Sequence, residues 1–470
     1  MKTCRNMIKS FAIIIATITI NISCKKQQDD FLNVKANNYD VTPKTLADFQ
    51  ALLDNDAIMN NSYSELGLAS SDNYYVIDDN YPSLTSPEKQ LYTWTSDIWQ
   101  SQESAEWNYI YAIVEYSNIV LDGIANVSPD NSIKSSYNNI KGSAYFFRAL
   151  AFYNLAAAFC KPYTATSAKT DLGIPLRLTS DVNAKSVRSS VQQTYDRIIS
   201  DLKTAIDLLP LTPLRVTRPS SRAAQALLAK VYLSMEQYSD ALQYADAVLK
   251  AKSDLLDYND NSLVTPTATR PFPRNPDNNS EIIFYANGWG YATVWPLASI
   301  SHTDTTLYDS YDINDIRKVA FFYNNSDGTH RFKGTYDAYS KNNFAGLATD
   351  ELYLIRAECY ARAGNTSSST SDLNALLSKR YTTGTFTALS TNNADTALHW
   401  VLVERRKELP FTGTCRWEDL RRLNKDPRFA ITIKRIIAGI TYTLEPNSPK
   451  YILPIPDKEI QLSGIQQNQR

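Results

Sequence analysis

RPSSRAAQALLAKVYLSMEQYSDALQYADAVL, residues 218–249, is the stretch that decides the fold. Leu228, Ala229 and Tyr232 fall on one helix, and Ala241, Ala245 and Val248 on a second, with Tyr238 in the turn between. Small residues at these offsets let two antiparallel helices approach closely while the large ones fill the notch. Upstream, a helix over Gln192–Leu209 closes at Pro210, and Pro219 opens the next element. Further upstream, Trp107–Ile124 and Ser143–Phe159 carry apolar residues at helical spacing.

The same small-large signature recurs downstream: Ala229-x-x-Tyr232 reappears as Ala357-x-x-Tyr360, with Gly364 and Asn365 ending that helix. The pattern is that of a tetratricopeptide-like repeat, split by a long intervening stretch. A continuous solenoid is therefore not expected, and helix pairs cradling an irregular region fit better. That region, about residues 254–345, is rich in Asn, Asp, Ser, Thr and Pro. Pro266, Pro271, Pro273, Pro276 and Pro296 break any helix in it, and Glu281–Tyr285 and Val319–Tyr323 read as short strands. A second irregular stretch spans Asn60–Asp97. Structureless runs of such length are usually functional when ordered. The expected architecture is thus mostly α: a helical scaffold over about 99–253 and 346–425, a loop-rich insert over about 254–345, and a docking tail over 426–470.

The amino terminus carries an address. Lys2, Arg5 and Lys9 precede an apolar run over Phe11–Ile22, and Ser23 precedes Cys24. This reads as a secretory signal over residues 1–23, too short to span a bilayer core of about 20 residues. A cysteine directly after a small residue resembles a bacterial lipobox, which makes Cys24 the expected lipidation site, although Asn21 stands where an aliphatic residue is usual. The tether that follows, Lys25-Lys26-Gln27-Gln28-Asp29-Asp30, is short and polar. A single acyl chain contributes about 0.8 kcal/mol per buried CH₂ and holds only marginally, whereas several hold stably.

Composition removes several function classes. Lys and Arg number 48 against 49 Asp and Glu, so no basic excess marks a nucleic-acid binder. Cys160, Cys359 and Cys415 remain in the mature chain without a C-x-x-C pair, and buried free thiols are expected. His302, His330 and His399 lack any ligand spacing, so no metal and no cofactor is expected. No G-x-S-x-G elbow or phosphate-cradling glycine loop occurs, and no two carboxylates stand out as an acid–base pair. The chain reads as a binder and not an enzyme. The 30 Tyr and 7 Trp suit either a helical core or a wet aromatic surface. Glu404, Arg405, Arg406, Lys407 and Glu408 read as a structural ion-pair network locking the last helices. Pro454 and Pro456 hold the tail extended so that Ile452, Leu453 and Ile455 can dock.

Six separated segments resemble, in order, the SusD/RagB family of surface lipoproteins. They are CKKQQDDFLNVKANNYDVT (24–42), KGSAYFFRALAFYNLAAAF (141–159) followed by DLGIPLRL (171–178), the repeat at 218–249, DELYLIRAECYARAGN (350–365), VERRKELPFTGTCRWEDLRRL (403–423) and YILPIPDKEIQLSGIQQNQ (451–469). The resemblance implies a single SusD-like domain over 24–470. It also implies a lipid-anchored outer-membrane protein facing outside, acting as a lid on a SusC-like TonB-dependent barrel and binding an oligosaccharide or a peptide. The family's contacts come from the early and central irregular stretches. Aromatics there outside helical periodicity are the candidate ligand residues: Asp72, Asn73, Tyr74, Tyr75 and Trp94, then Trp289, Tyr291 and Trp295. Trp107 and Trp417 are set aside, the first within an amphipathic helix and the second in the charged segment. Two other classes remain open: an adaptor whose repeats grip a peptide, and a glycoside hydrolase of helical fold.

Overall fold

Side-chain caps start several of the long helices, and the turns between those helices bring them back against one another. The computed structural model describes residues 43–338 and 341–470, so the leader 1–23 and Cys24 lie outside the described residues. Helices α1 (Leu46–Leu53), α2 (Asp56–Met59), α3 (Leu66–Ser70) and α4 (Ser86–Tyr92) are short. The long helices follow: α5 (Ala105–Ile124), α6 (Lys134–Phe159), α7 (Val191–Leu208), α8 (Ser221–Ser234) and α9 (Tyr238–Leu249). Thr45, Ser104, Ser190 and Ser220 cap α1, α5, α7 and α8 through their hydroxyls, satisfying amides that a helix start leaves orphaned. Pro219 therefore lies just outside the helix, and Ser220 is its true start. Tyr238 is helical and not in the turn; Glu236, at φ 59°, makes the turn.

The scaffold is built by serial packing: α5 on α6, α6 on α7, α7 on α8 and α8 on α9. Helix α6 is buried along almost its whole second half, with Phe146, Phe147, Phe152 and Phe159 set among alanines. The next step departs from the sequence expectation. Helix α9 packs directly on a helix more than a hundred residues later, Thr349–Arg362. The repeat that is split in sequence is thus contiguous in space. The ends of the insert make this possible: the Thr349 hydroxyl donates to the carbonyl of Asp254 at 2.5 Å and the Tyr353 hydroxyl to that of Ser253 at 3.2 Å, while inside the insert Ile282–Phe284 pairs antiparallel with Leu347–Ala348. The amide of Thr349 also bonds to the carbonyl of Glu281 at 2.9 Å. An insertion whose ends are tied together costs a repeat little, since its entry and exit points need not separate.

Within the insert lie α10 (Thr305–Asp309) and α11 (Arg317–Phe321), and after it α12 (Thr349–Arg362), α13 (Thr366–Leu377), α14 (Ala394–Glu408), α15 (Cys415–Leu423) and α16 (Asp457–Ser463). Strands among the described residues are short and pair two by two. They are β1 (Tyr74–Tyr75) with β5 (His302–Thr303), β2 (Leu172–Pro175) with β3 (Arg188–Ser190), β4 (Ile282–Phe284) with β8 (Leu347–Ala348), β6 (Phe322–Asn324) with β7 (His330–Phe332), and β9 (Ile433–Ile437) with β10 (Ile440–Leu444). The fold is mostly α, as the sequence indicates. The expected strand over Val319–Tyr323 is half wrong: residues 317–321 are helical because the Asp315 carboxylate accepts the amide of Arg317 at 3.1 Å and starts a turn.

The charged segment forms a buried network, as read from sequence. Arg317 bonds Asp315, Glu404 and Glu408 at 2.6–2.8 Å, and Arg380 reaches Glu281 and Glu408. Arg405 bridges Glu351 and Asp419. Burial pushes the Glu408 carboxyl up, but Arg380 and Arg317 outweigh it and hold the group below its ordinary range. The tail docks through Ile452, Leu453 and Ile455, all buried, with the Leu453 amide bonded to Ala158 at the end of α6. Cys160, Cys359 and Cys415 are buried free thiols.

Candidate functional site

The sequence Asn287-Gly-Trp-Gly-Tyr-Ala-Thr-Val-Trp295 leaves β4 and runs between two other segments of backbone. On one side the Asn287 amide bonds to the carbonyl of Asn60 at 2.7 Å and the Trp289 amide to that of Tyr63 at 2.9 Å. On the other side the Gly288 amide bonds to the carbonyl of Asn343 at 2.9 Å, and Asn342 Nδ2 donates to the carbonyl of Gly288 at 3.1 Å. Gly288 lies against the Glu65 carboxyl with no room for a Cβ, and Gly290 sits at φ 89° against the Trp295 indole. Glycine at both places follows from close approach and from a left-handed turn. The loop is ordered by backbone bonds, which frees its large side chains from holding it together.

Two of those side chains reach the surface. The Trp289 ring, half-buried, packs 4.7 Å from the Tyr109 ring at 31°, and Tyr109 is 43% exposed on the outer face of α5. Trp295 is 45% exposed, its indole against Gly290. Tyr109, Trp289 and Trp295 therefore give a discontinuous aromatic surface, with Asn108 exposed beside Tyr109. A cavity of about 280 Å³ lies on the same helix, lined by Trp107, Asn108, Tyr111, Glu115, Arg177 and Glu459. Flat rings flanked by amides and carboxylates recognise molecules with both an apolar face and hydroxyls.

The other sequence candidates are elsewhere. Trp94 is 1% exposed; its indole N–H donates to the carbonyl of Ser70 at 2.9 Å, and the Arg435 guanidinium lies 4.6 Å from its ring centre. It is a core residue. Asn73 is fully buried, donating to the Pro410 carbonyl and accepting from Arg406 at 3.0 Å. Asp72 bonds Arg416 through both oxygens at 2.6 and 2.7 Å. Burial pushes Asp72 up, but Arg416 and Arg406 hold its carboxyl well below the usual range. Tyr74 is buried and its hydroxyl donates to Ala69. These polar groups are consumed by the fold. Tyr75 is half-buried, 5.3 Å from the His302 ring. Tyr291 is seated between the two main hydrophobic cores, and burial raises its phenol well above the ordinary value, with Glu106, Glu65 and Glu88 adding to the rise. Trp107 and Trp417, set aside in the sequence, are buried.

Local reading missed Tyr109, which lies inside an amphipathic helix. Its signal is phase: it falls off the stripe formed by Trp107, Ile110 and Val114. The carboxyls beneath the loop, Glu65 and Glu106, were also missed. Among the described residues no cluster of His, Cys, Asp and Glu has the form of a metal site.

A helical-repeat scaffold that presents an aromatic surface from an inserted loop defines a class of binding protein. Comparison with known proteins gives the class its name. Residues 30–233 match a SusD-like family described as starch-binding and associating with the outer membrane, and residues 273–469 match the SusD family model. This chain belongs to the SusD/RagB family. SusD-like protein P2 of Formosa agariphila is 31% identical over 155 residues, 32% of this chain and 28% of that protein. The match thus spans little more than a quarter of that relative. A SusD superfamily protein of Bacteroides vulgatus has a TM-score of 0.73 at 22% identity, covering 91% of this chain and 99% of its own. A SusD superfamily protein of Bacteroides thetaiotaomicron gives 0.67 at 24%, covering 91% and 100%. A SusD-like carbohydrate binding protein of Bacteroides vulgatus gives 0.66 at 19%, covering 90% and 97%. Among the described residues no helix is long and apolar enough to cross a membrane.

Proposed function

We propose that this chain is an outer-membrane lipoprotein that binds an oligosaccharide outside the cell and acts as the lid of a SusC-like TonB-dependent transporter. The observation that carries the reading is the ring pair at the surface between Tyr109 of α5 and Trp289, the latter on a loop tied down by bonds to its backbone. Pyranose rings present apolar C–H faces that stack on such rings, and neighbouring amides read the hydroxyls. Family membership supports the ligand class and the transporter partnership; the Ser23–Cys24 leader supports the lipid anchor. Delivery by hinge closure needs no catalytic residue, which agrees with the absence of any catalytic motif in the sequence.

Native electrophoresis through gels containing starch or other polysaccharides tests the reading. The wild type is expected to be retarded by at least one glycan. The double variant Tyr109→Ala/Trp289→Ala should lose that retardation with helicity unchanged. Each buried stacking ring contributes on the order of 1–2 kcal/mol, so each loss weakens affinity roughly ten-fold. Equal retardation of both proteins would remove the aromatic surface from the account.

A further inference from the structure

The loop that carries Trp289 and Trp295 rests on two buried acids. Glu65, fully buried ahead of α3, accepts from the Gly290 amide at 2.7 Å, from Asn343 Nδ2 at 2.8 Å and from the Tyr291 amide. Asn343 Nδ2 also donates to the carbonyl of Val294 at 2.8 Å, which ties the far end of the loop to the same residue. Glu106, fully buried in the first turn of α5, accepts the Glu65 amide at 3.0 Å, the Ser64 hydroxyl at 3.1 Å and the Leu66 amide. All these partners are neutral donors, and among the described residues neither carboxyl forms an ion pair. The titratable groups facing the pair from the neighbouring elements are Glu88 of α4, which accepts the Thr293 amide at 3.3 Å, and the Tyr291 phenol.

We propose that Glu65 is the positioning residue of the binding loop, and that the seated loop keeps a proton on the Glu65–Glu106 pair. The proposal deepens the reading of this loop as the glycan-binding surface and rests on it for the loop's role. Two carboxylates without a counter-ion do not both ionise in a buried site. Burial pushes Glu65 up to about 7 and Glu106 up to about 8, the latter raised further by the charge of Glu65. Gly288 and Gly290 form the cover over Glu65. When the loop lifts, water reaches the carboxyl and it returns toward its ordinary value, so opening releases a proton. A state that binds the proton more tightly is favoured as pH falls. The aromatic surface is accordingly best ordered on the acid side of neutrality and loosens as pH rises through 7.

Hydrogen exchange tests this on the whole exported protein without any ligand, so the outcome is independent of whether a glycan is found. The quantity read is the protection of the peptide spanning residues 287–296, corrected for the intrinsic rate at each pH. A peptide from the centre of α6 serves as the control for global opening. In the wild type the loop should gain about ten-fold protection between roughly pH 8.5 and pH 6, the factor for one carboxyl at 7 in the seated state and near 4.5 in the open one. Glu65→Gln, which cannot ionise, should show under about three-fold change, with the α6 peptide unaltered in both proteins. Loop protection that is flat with pH in the wild type, or a Glu65→Gln loop that follows the wild type, would overturn the proposal. If Glu65→Gln does not fold, the wild-type loop measured against its own α6 control decides alone. Should the loop respond while no glycan binds, the positioning role stands and the ligand class falls.

Discussion

At the scale of single residues, chemistry of one type is put to opposite uses in this molecule. Trp289 and Trp295 are displayed, whereas Trp94 and Trp417 are sealed in one hydrophobic cluster with Ile433 and Leu444. We predict that Trp94→Ala costs about 3–5 kcal/mol, as removal of a fully buried Trp does, and is read as a lowered midpoint in chemical denaturation. Trp289→Ala should cost under about 1 kcal/mol and act on ligand affinity instead. Equal destabilisation by both would mean that Trp289 is a packing residue. The difference was half legible in the sequence. Glycines on both sides of Trp289 and a proline after Trp295 mark a loop that displays its rings, and these two picks reach the surface. Asp72 and Asn73 look the same locally, a polar pair before two tyrosines. Their counter-groups are Arg416 and Arg406, 344 and 333 residues further along, and no local pattern announces them.

At the scale of elements, the charged helices show what the sequence does make legible. The mixed charges of Glu404, Arg405, Arg406, Lys407 and Glu408 already implied an ion-pair network, and α14 does lock onto α12, α15 and the insert through Glu351, Asp419 and Arg317. Breaking a buried network by removing one member leaves the others uncompensated. Arg317→Ala should therefore destabilise the protein by about 3–5 kcal/mol, whereas replacement of an exposed arginine such as Arg428 should cost under about 1 kcal/mol. The pH dependence has two signs. Glu408, Asp315 and Glu358 are held below their ordinary values by arginines despite burial, so their stabilisation is present near neutrality and lost as pH falls through the carboxylate range. Glu65 and Glu106 are raised, so their contribution is full at acid pH and lost as pH rises through about 7 and 8. Thermal stability should peak between the two windows, and Glu65→Gln should flatten its alkaline side. A stability that climbs steadily to pH 9 would contradict this. The order in which helices stack was not legible, because the contact between α9 and α12 depends on where the ends of the insert meet.

At the scale of the whole molecule, a repeat scaffold holds an insert whose loop brings Trp289 and Trp295 to the surface, and the leader 1–23 with Cys24 is the proposed address. Cys24→Ala is expected to yield a folded protein that is not recovered with outer membranes. The wild type, extracted gently, should co-purify with a large outer-membrane barrel. Migration of the wild type alone, under conditions that preserve other outer-membrane complexes, would remove the lid from the account. The overall class was readable because six ordered segments carry it; the binding surface was only partly so, since Tyr109 sits on a helix and meets Trp289 through the tertiary fold. The central claim is that the ligand lies on that pair of rings. The most direct measurement is a crystal structure of the protein soaked with the oligosaccharide that retards it most. The account predicts a sugar ring stacked on Trp289 or Tyr109, with Trp295 within van der Waals reach of the next unit. A sugar bound at any other surface, with Tyr109 and Trp289 untouched, would contradict it.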